Sequence, residues 1–174
     1  MAMPWIISFI GYSNTGKTTF IGEILRECAS RGIAAATAKK SRHGADLAPP
    51  AKDSERFFAA GASPSIYLDE ASMLVLSRRP ANLGAADLAA LCPEAGLLLC
   101  EGLELPGCPI VLVAGSAENP GALKRGFGDA AALVAEAPAL VEAAARTGLP
   151  CFAPGEAARF LDWVLSNPDF SKIQ

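Results

Sequence analysis

Eight consecutive residues, Gly11-Tyr12-Ser13-Asn14-Thr15-Gly16-Lys17-Thr18, reproduce the pattern G-x-x-x-x-G-K-[ST]. Chemistry at such a loop depends on backbone N–H groups turning inward around a phosphate, which the missing side chains of Gly11 and Gly16 permit and which the amides of Ser13, Asn14 and Thr15 complete. Lys17 is placed to reach the β and γ phosphate oxygens. The Thr18 hydroxyl suits a Mg²⁺ ion bridging them, and Thr19 can meet the α phosphate. A nucleoside triphosphate is the expected ligand.

A bound Mg²⁺ calls for an acidic residue at the end of a neighbouring strand. Glu101 meets that requirement, because it closes the apolar run Gly96-Leu97-Leu98-Leu99-Cys100 and precedes Gly102. Lys17 and Glu101 are therefore the expected catalytic pair, Thr18 and Glu101 the expected metal ligands, and Glu104 a weaker candidate. A second group of charged residues, Lys39, Lys40, Arg42 and His43, follows an apolar segment and is suited to an anionic ligand or partner. His43 is the single histidine of the chain, which excludes a multi-histidine metal site.

The elements that must position these residues follow from hydrophobic periodicity. Trp5 to Ile10 reads as a buried strand, Thr18 to Arg31 as an amphipathic helix stopped by Gly32, and Ile33 to Ala38 as a second strand. A helix is expected from Lys52 to Ala60, then a hairpin of Ser65 to Asp69 and Met73 to Ser77, and a helix near Ala85 to Leu91. Strands are expected at Gly96 to Cys100, Ile110 to Ala114, Ala130 to Ala135 and Pro150 to Phe152, with helices over Pro138 to Arg146 and Gly155 to Leu165. Gly115 to Gly128, rich in glycine and carrying Lys124-Arg125, is expected to be a mobile loop. The alternation predicts a three-layer α/β fold of P-loop NTPase type, a mostly parallel sheet with helices on both faces. No linker divides the chain, so residues 1–174 are expected to form one nucleotide-binding domain.

Composition sets the outer bounds. At 174 residues the chain can bury roughly 70% of the surface it exposes when unfolded. Its 51% hydrophobic and 19% charged residues exclude a disordered chain. A net charge of −3 argues against a dedicated nucleic-acid binder. The opening apolar run is too short for a bilayer span and lacks the features of a signal peptide, so a cytoplasmic protein without membrane attachment is expected. The 5 cysteines show no C-x-x-C spacing and read as small apolar fillers.

Four blocks, in order, carry a resemblance: GYSNTGKTTFIGEIL, KKSRHGADLAPPAKDSERFFAAGA, LLLCEGL, and LVAEAP with the closing TGLPCF. Together they make the chain similar to a divergent member of the molybdopterin-guanine dinucleotide biosynthesis protein B (MobB) family. The resemblance adds Lys52 and Asp53 to the second anion or partner loop. Lys40 stands where the family pattern has its first histidine, and Ala51 replaces the glycine before Lys52-Asp53. It also implies GTP and Mg²⁺ as cofactors, a MobA-type guanylyltransferase partner, a molybdopterin-related ligand and a homodimer.

No N-K-x-D or T-K-x-D motif occurs. The resemblance instead offers Glu136, in Glu136-Ala137-Pro138, as the carboxylate that accepts the guanine N1–H and N2–H₂ groups. A GTP-binding accessory protein with at most slow hydrolysis is the leading expectation. A small-molecule kinase, with Lys124-Arg125 as the trace of a lid, and a nucleotide-binding scaffold without turnover remain alternatives.

Overall fold

The computed structural model describes residues 3–41 and 52–167. These residues fall into two compact units, one of residues 3–40 and 84–167, the other of residues 41 and 52–83. The expected sites Arg42 and His43, and the side chain of Lys52, lie outside what is described.

The larger unit is built on a six-stranded sheet. Its strands are β1 (Trp5–Ile10), β2 (Ala35–Lys39), β5 (Leu97–Glu101), β6 (Ile110–Val113), β7 (Ala132–Val134) and β8 (Cys151–Phe152), in the spatial order β2-β5-β1-β6-β7-β8. Every neighbouring pair is parallel. The continuous Ile/Leu/Val runs of the central strands follow from this arrangement, since a parallel sheet covered by helices must be apolar on both faces. Residues of alternating parity serve the two sides. Ile7, Phe9, Leu99 and Val111 pack against α1 (Lys17–Ser30) and α5 (Ala157–Ser166). On the opposite side, Ile6 and Leu98 meet Ala89 of α3 (Ala85–Ala90), and Ile10, Leu112 and Leu133 meet Leu140 and Ala144 of α4 (Pro138–Thr147). The expected three-layer α/β architecture is thus the one observed.

Helix α1 begins one residue earlier than its periodicity predicts. Gly16 adopts a left-handed conformation at its N-cap, with φ 86°, and no side chain caps the first turn. Phe20, Ile21, Ile24 and Cys28 form its buried stripe. Full burial of a side chain such as Phe20 or Ile24 is worth about 1.5–3 kcal/mol relative to exposure, so this stripe fixes the helix against the sheet. Phe9, Phe20 and Phe160 meet with ring centroids 5.4–6.3 Å apart, tying β1 to α1 and α5.

β2 starts two residues later than expected. The Ile33 N–H closes the end of α1 on the Cys28 carbonyl at 2.9 Å, and the Ala34 carbonyl accepts from Gly96 at 2.8 Å, before the regular ladder with β5 begins. Between β6 and β7 the chain forms two short 3₁₀ turns, Pro120–Ala122 and Phe127–Asp129.

In the smaller unit, α2 (Lys52–Ala59) precedes an antiparallel hairpin of β3 (Ser65–Leu68) and β4 (Met73–Leu76). Its turn is held by Asp69, whose carboxylate accepts from the backbone N–H of Ala71 and Ser72 and from the Ser72 hydroxyl. Ile66 pairs with Val75 and Leu68 with Met73, and all four side chains are exposed.

Candidate functional site

The carboxyl ends of the parallel strands bring the sequence-predicted residues of the larger unit to one edge. β1 delivers the loop Gly11–Gly16 directly into α1. β5 lies between β1 and β2, and its register sets Glu101 beside Phe9 on one side and Lys39 on the other. The strand order thus closes the distance between the loop and a carboxylate 83 positions from Thr18.

Within the loop, the Thr15 hydroxyl donates to the Tyr12 carbonyl at 3.0 Å. The Lys17 ammonium donates to that carbonyl as well, and to the Thr15 hydroxyl oxygen at 3.1 Å. Lys17 is buried, with 8% of its surface exposed, whereas Ser13, Asn14, Thr18 and Thr19 are exposed. Burial pushes the Lys17 pKa below the ordinary lysine value. The Glu101 carboxylate opposes that shift, and the charges of Lys124 and Lys39 reinforce it.

Glu101 is shared. The Thr18 hydroxyl lies 2.9 Å from both carboxylate oxygens, and Lys39 Nζ lies 3.2 Å from Oε1. Sequence reasoning groups Lys39 with a second anion loop; the structure sets its side chain against the same carboxylate as Thr18. The Lys40 N–H donates to the Glu101 carbonyl at 3.0 Å, and its side chain is exposed. Glu136 follows the end of β7 at this same edge, is exposed, and carries no ion pair among the described residues. Asp53 belongs to the smaller unit, where it pairs with Arg56 at 3.5 Å.

The donor set suits the groups that the motif implies. Oxygen donors from Thr18 and Glu101 match a hard divalent cation. The start of α1 is left without a side-chain cap, and its N–H groups favour an anion. The backbone is also packed too closely for side chains. A methyl carbon on Gly11 would stand 2.4 Å from the Val113 carbonyl oxygen, and one on Gly115 would stand 2.7 Å from Thr15 Cα.

This last contact escapes sequence reasoning, although a signal for it exists: β1, β5 and β6 are each followed within two residues by glycine, at Gly11, Gly102 and Gly115. A cavity of about 330 Å³ lined by Phe127, Thr147 and Pro150 lies at the amino ends of β7 and β8, away from the loop.

Comparison with known proteins agrees with this arrangement. The model of the family MobB, "Molybdopterin guanine dinucleotide synthesis protein B", matches residues 6–134, which span the loop, Lys39 and Glu101. The chain belongs to the MobB family. Among curated relatives of this family member, a probable molybdopterin-guanine dinucleotide biosynthesis adapter protein of Bacillus subtilis (strain 168) is 32% identical over 123 residues, covering 68% of this chain and 70% of the relative. The adapter protein of Escherichia coli (strain K12) is 29% identical over 75 residues, 43% of each chain. The crystal structure of Bacillus subtilis MobB superposes with a TM-score of 0.66 at 26% identity, covering 92% of this chain and 96% of that one. A further solved MobB structure, at 20% identity and a TM-score of 0.60, shares the fold. Among the described residues, no helix is long and apolar enough to cross a membrane.

Proposed function

We propose that this MobB family member binds GTP with Mg²⁺ and serves as an adapter in molybdopterin-guanine dinucleotide biosynthesis, acting with a MobA-type guanylyltransferase. The observation that carries the reading is the meeting of Thr18 with Glu101 at 2.9 Å beside the buried Lys17, at the mouth of a glycine loop that opens a helix. Gly11, Ser13, Asn14, Thr15 and Gly16 would surround the phosphates with backbone N–H groups, Thr19 would meet the α phosphate, and Lys17 would neutralise the β and γ oxygens. Mg²⁺, held by Thr18 and Glu101, would supply charge neutralisation at the terminal phosphates.

Glu136, exposed at the end of β7, is the proposed acceptor for the guanine N–H groups. Lys39 and Lys40 stand at the end of β2, where a phosphate-bearing pterin or the nucleotide of the partner enzyme would approach. Hydrolysis is read as slow at most, since among the described residues there is no glutamine to orient an attacking water and no arginine is identified as a finger. The protein is read as cytoplasmic and as a single functional domain. A homodimer is part of this reading, and the exposed pairs Ile66/Val75 and Leu68/Met73 supply an apolar surface for it.

Titration of the full chain with GTP and with ATP, each with and without Mg²⁺, tests the core of the proposal. Tighter binding of GTP, strengthened by Mg²⁺, is expected. Equal affinity for the two nucleotides refutes guanine selection, and absence of binding to either refutes the site.

A further inference from the structure

The crossover from β6 to β7, residues 114–131, passes over the sheet without an α-helix, yet it is fixed at several points. Gly115 lies against Thr15 of the glycine loop. Leu123 and Phe127 pack on the cluster that contains Ile10, the last residue of β1, together with Leu112 and Leu133. Arg125 Nη2 donates to Glu104 Oε2 at 2.7 Å, and Glu104 is three residues beyond Glu101.

Lys124 sits between the Leu123 anchor and the Arg125 ion pair. It is exposed, and among the described residues it has no ion pair, while Glu101 is engaged by Lys39 and Glu104 by Arg125. Its charge is close enough to act on Lys17, as is that of Lys39. Lys17 thus feels the positive charges of Lys39 and Lys124 against the single carboxylate of Glu101, which Thr18 and Lys39 already engage, so the balance of charge around Lys17 is cationic. Like charges gathered in this way repel one another, and the arrangement becomes favourable when an anion joins them. A nucleoside triphosphate remains anionic after it has taken up one divalent cation.

We propose that Lys124 is a phosphate-contacting residue, delivered to the β and γ phosphates by the β6–β7 crossover and positioned by the Arg125–Glu104 ion pair. The assignment deepens the nucleotide-binding reading and rests on it. It differs from the glycine-loop lysine in origin. Lys17 is fixed by the turn into α1, whereas Lys124 arrives from a segment about a hundred residues downstream, so the ligand joins the crossover to the loop.

The test is a charge series at one exposed position. Calorimetric titration of the full chain with GTP and Mg²⁺ is expected to show a loss of about tenfold or more for Lys124→Ala, near-complete recovery for Lys124→Arg, and a larger loss for Lys124→Glu. Glu104→Gln, which releases Arg125, is expected to give a smaller loss than Lys124→Ala. Circular dichroism melts verify that each variant folds. Affinity of Lys124→Ala within twofold of the wild type overturns the assignment, as does a series in which Lys124→Glu binds as well as Lys124→Ala. Lys17→Ala separates the two levels of inference. If it abolishes GTP binding while Lys124→Ala stays within twofold of the wild type, Lys124 alone is misassigned. If wild-type protein binds no nucleotide, the underlying reading fails.

Discussion

Gly115→Ala tests how closely the glycine loop is built against its neighbouring strand. Two costs add at this position. The φ of +58° places an L-residue in the left-handed region, at about 1–2 kcal/mol. The new methyl carbon would also stand 2.7 Å from Thr15 Cα, 2.9 Å from its Cβ and 3.0 Å from its Cγ2. These are a backbone carbon and the stiff stem of a β-branched side chain, and forced overpacking of that kind costs about 1–3 kcal/mol. The sum is about 2–5 kcal/mol, a large share of the roughly 5–15 kcal/mol of a typical domain. Gly16→Ala provides the internal standard. Its φ of +86° carries the torsional cost, but nothing lies within 4 Å of the added carbon, so about 1–2 kcal/mol is expected. Urea denaturation of both variants gives the comparison. Because relief of the clash moves Thr15, whose hydroxyl bonds to Tyr12, Gly115→Ala should also lose at least tenfold in GTP affinity. A Gly115→Ala protein no less stable than Gly16→Ala, with wild-type GTP affinity, refutes the close packing of the loop on the crossover.

Further expectations concern single groups. Thr18→Ala should remove the Mg²⁺-dependent part of GTP binding first; equal enhancement by Mg²⁺ in variant and wild type would show that Thr18 is not a metal ligand. Burial lowers the Lys17 pKa below 10.5, and the protonated form binds phosphate. GTP affinity should therefore be fully present below that lowered pKa, fall as pH rises through it, and do so before an ordinary lysine would titrate. Titrations between about pH 7 and 10 read this slope, which Lys17→Arg should flatten because a guanidinium stays charged there. Glu136→Gln should weaken GTP while leaving ATP nearly unchanged, since an amide donor opposes the guanine N–H groups; parallel losses remove Glu136 from base recognition. Ile66→Lys combined with Val75→Lys should shift the protein toward monomer in sedimentation analysis, and an unchanged dimer would place its interface elsewhere.

What the sequence makes legible here is local. The glycine pattern, the apolar runs of β1 and β5, and the stop at Gly32 depend on residues a few positions apart, and the structure bears out those elements. Glu101 is legible too, because an acidic residue ending an apolar run and preceding glycine marks the carboxyl edge of a sheet. Contacts governed by strand order are not. Lys39 ends the strand that directly succeeds α1, yet β5 enters between β2 and β1 and takes Lys39 as the partner of its own Glu101. The approach of Gly115 to Thr15 likewise exists because β6 lies next to β1, which no local pattern records. The crossover after β6 reads as a mobile glycine-rich loop, although Leu123 and Phe127 give it apolar anchors that a count of glycines overlooks.

The strand order that sets β1 between β5 and β6 also makes the site a global object. Its groups come from the ends of β1, β2, β5 and β6, and no stretch of chain shorter than about a hundred residues contains Thr15, Thr18, Glu101 and Gly115 together. Forming it requires non-local strand pairings that are slow to assemble, so a folding intermediate holding only β1 and α1 would have the motif without the grip. Ligand would then bind the native state alone and stabilise it by mass action, by about 2.7 kcal/mol at a free concentration one hundred times Kd. If nucleotide binds as proposed, the bound native state would be protected from proteolysis by the same equilibrium that loads it.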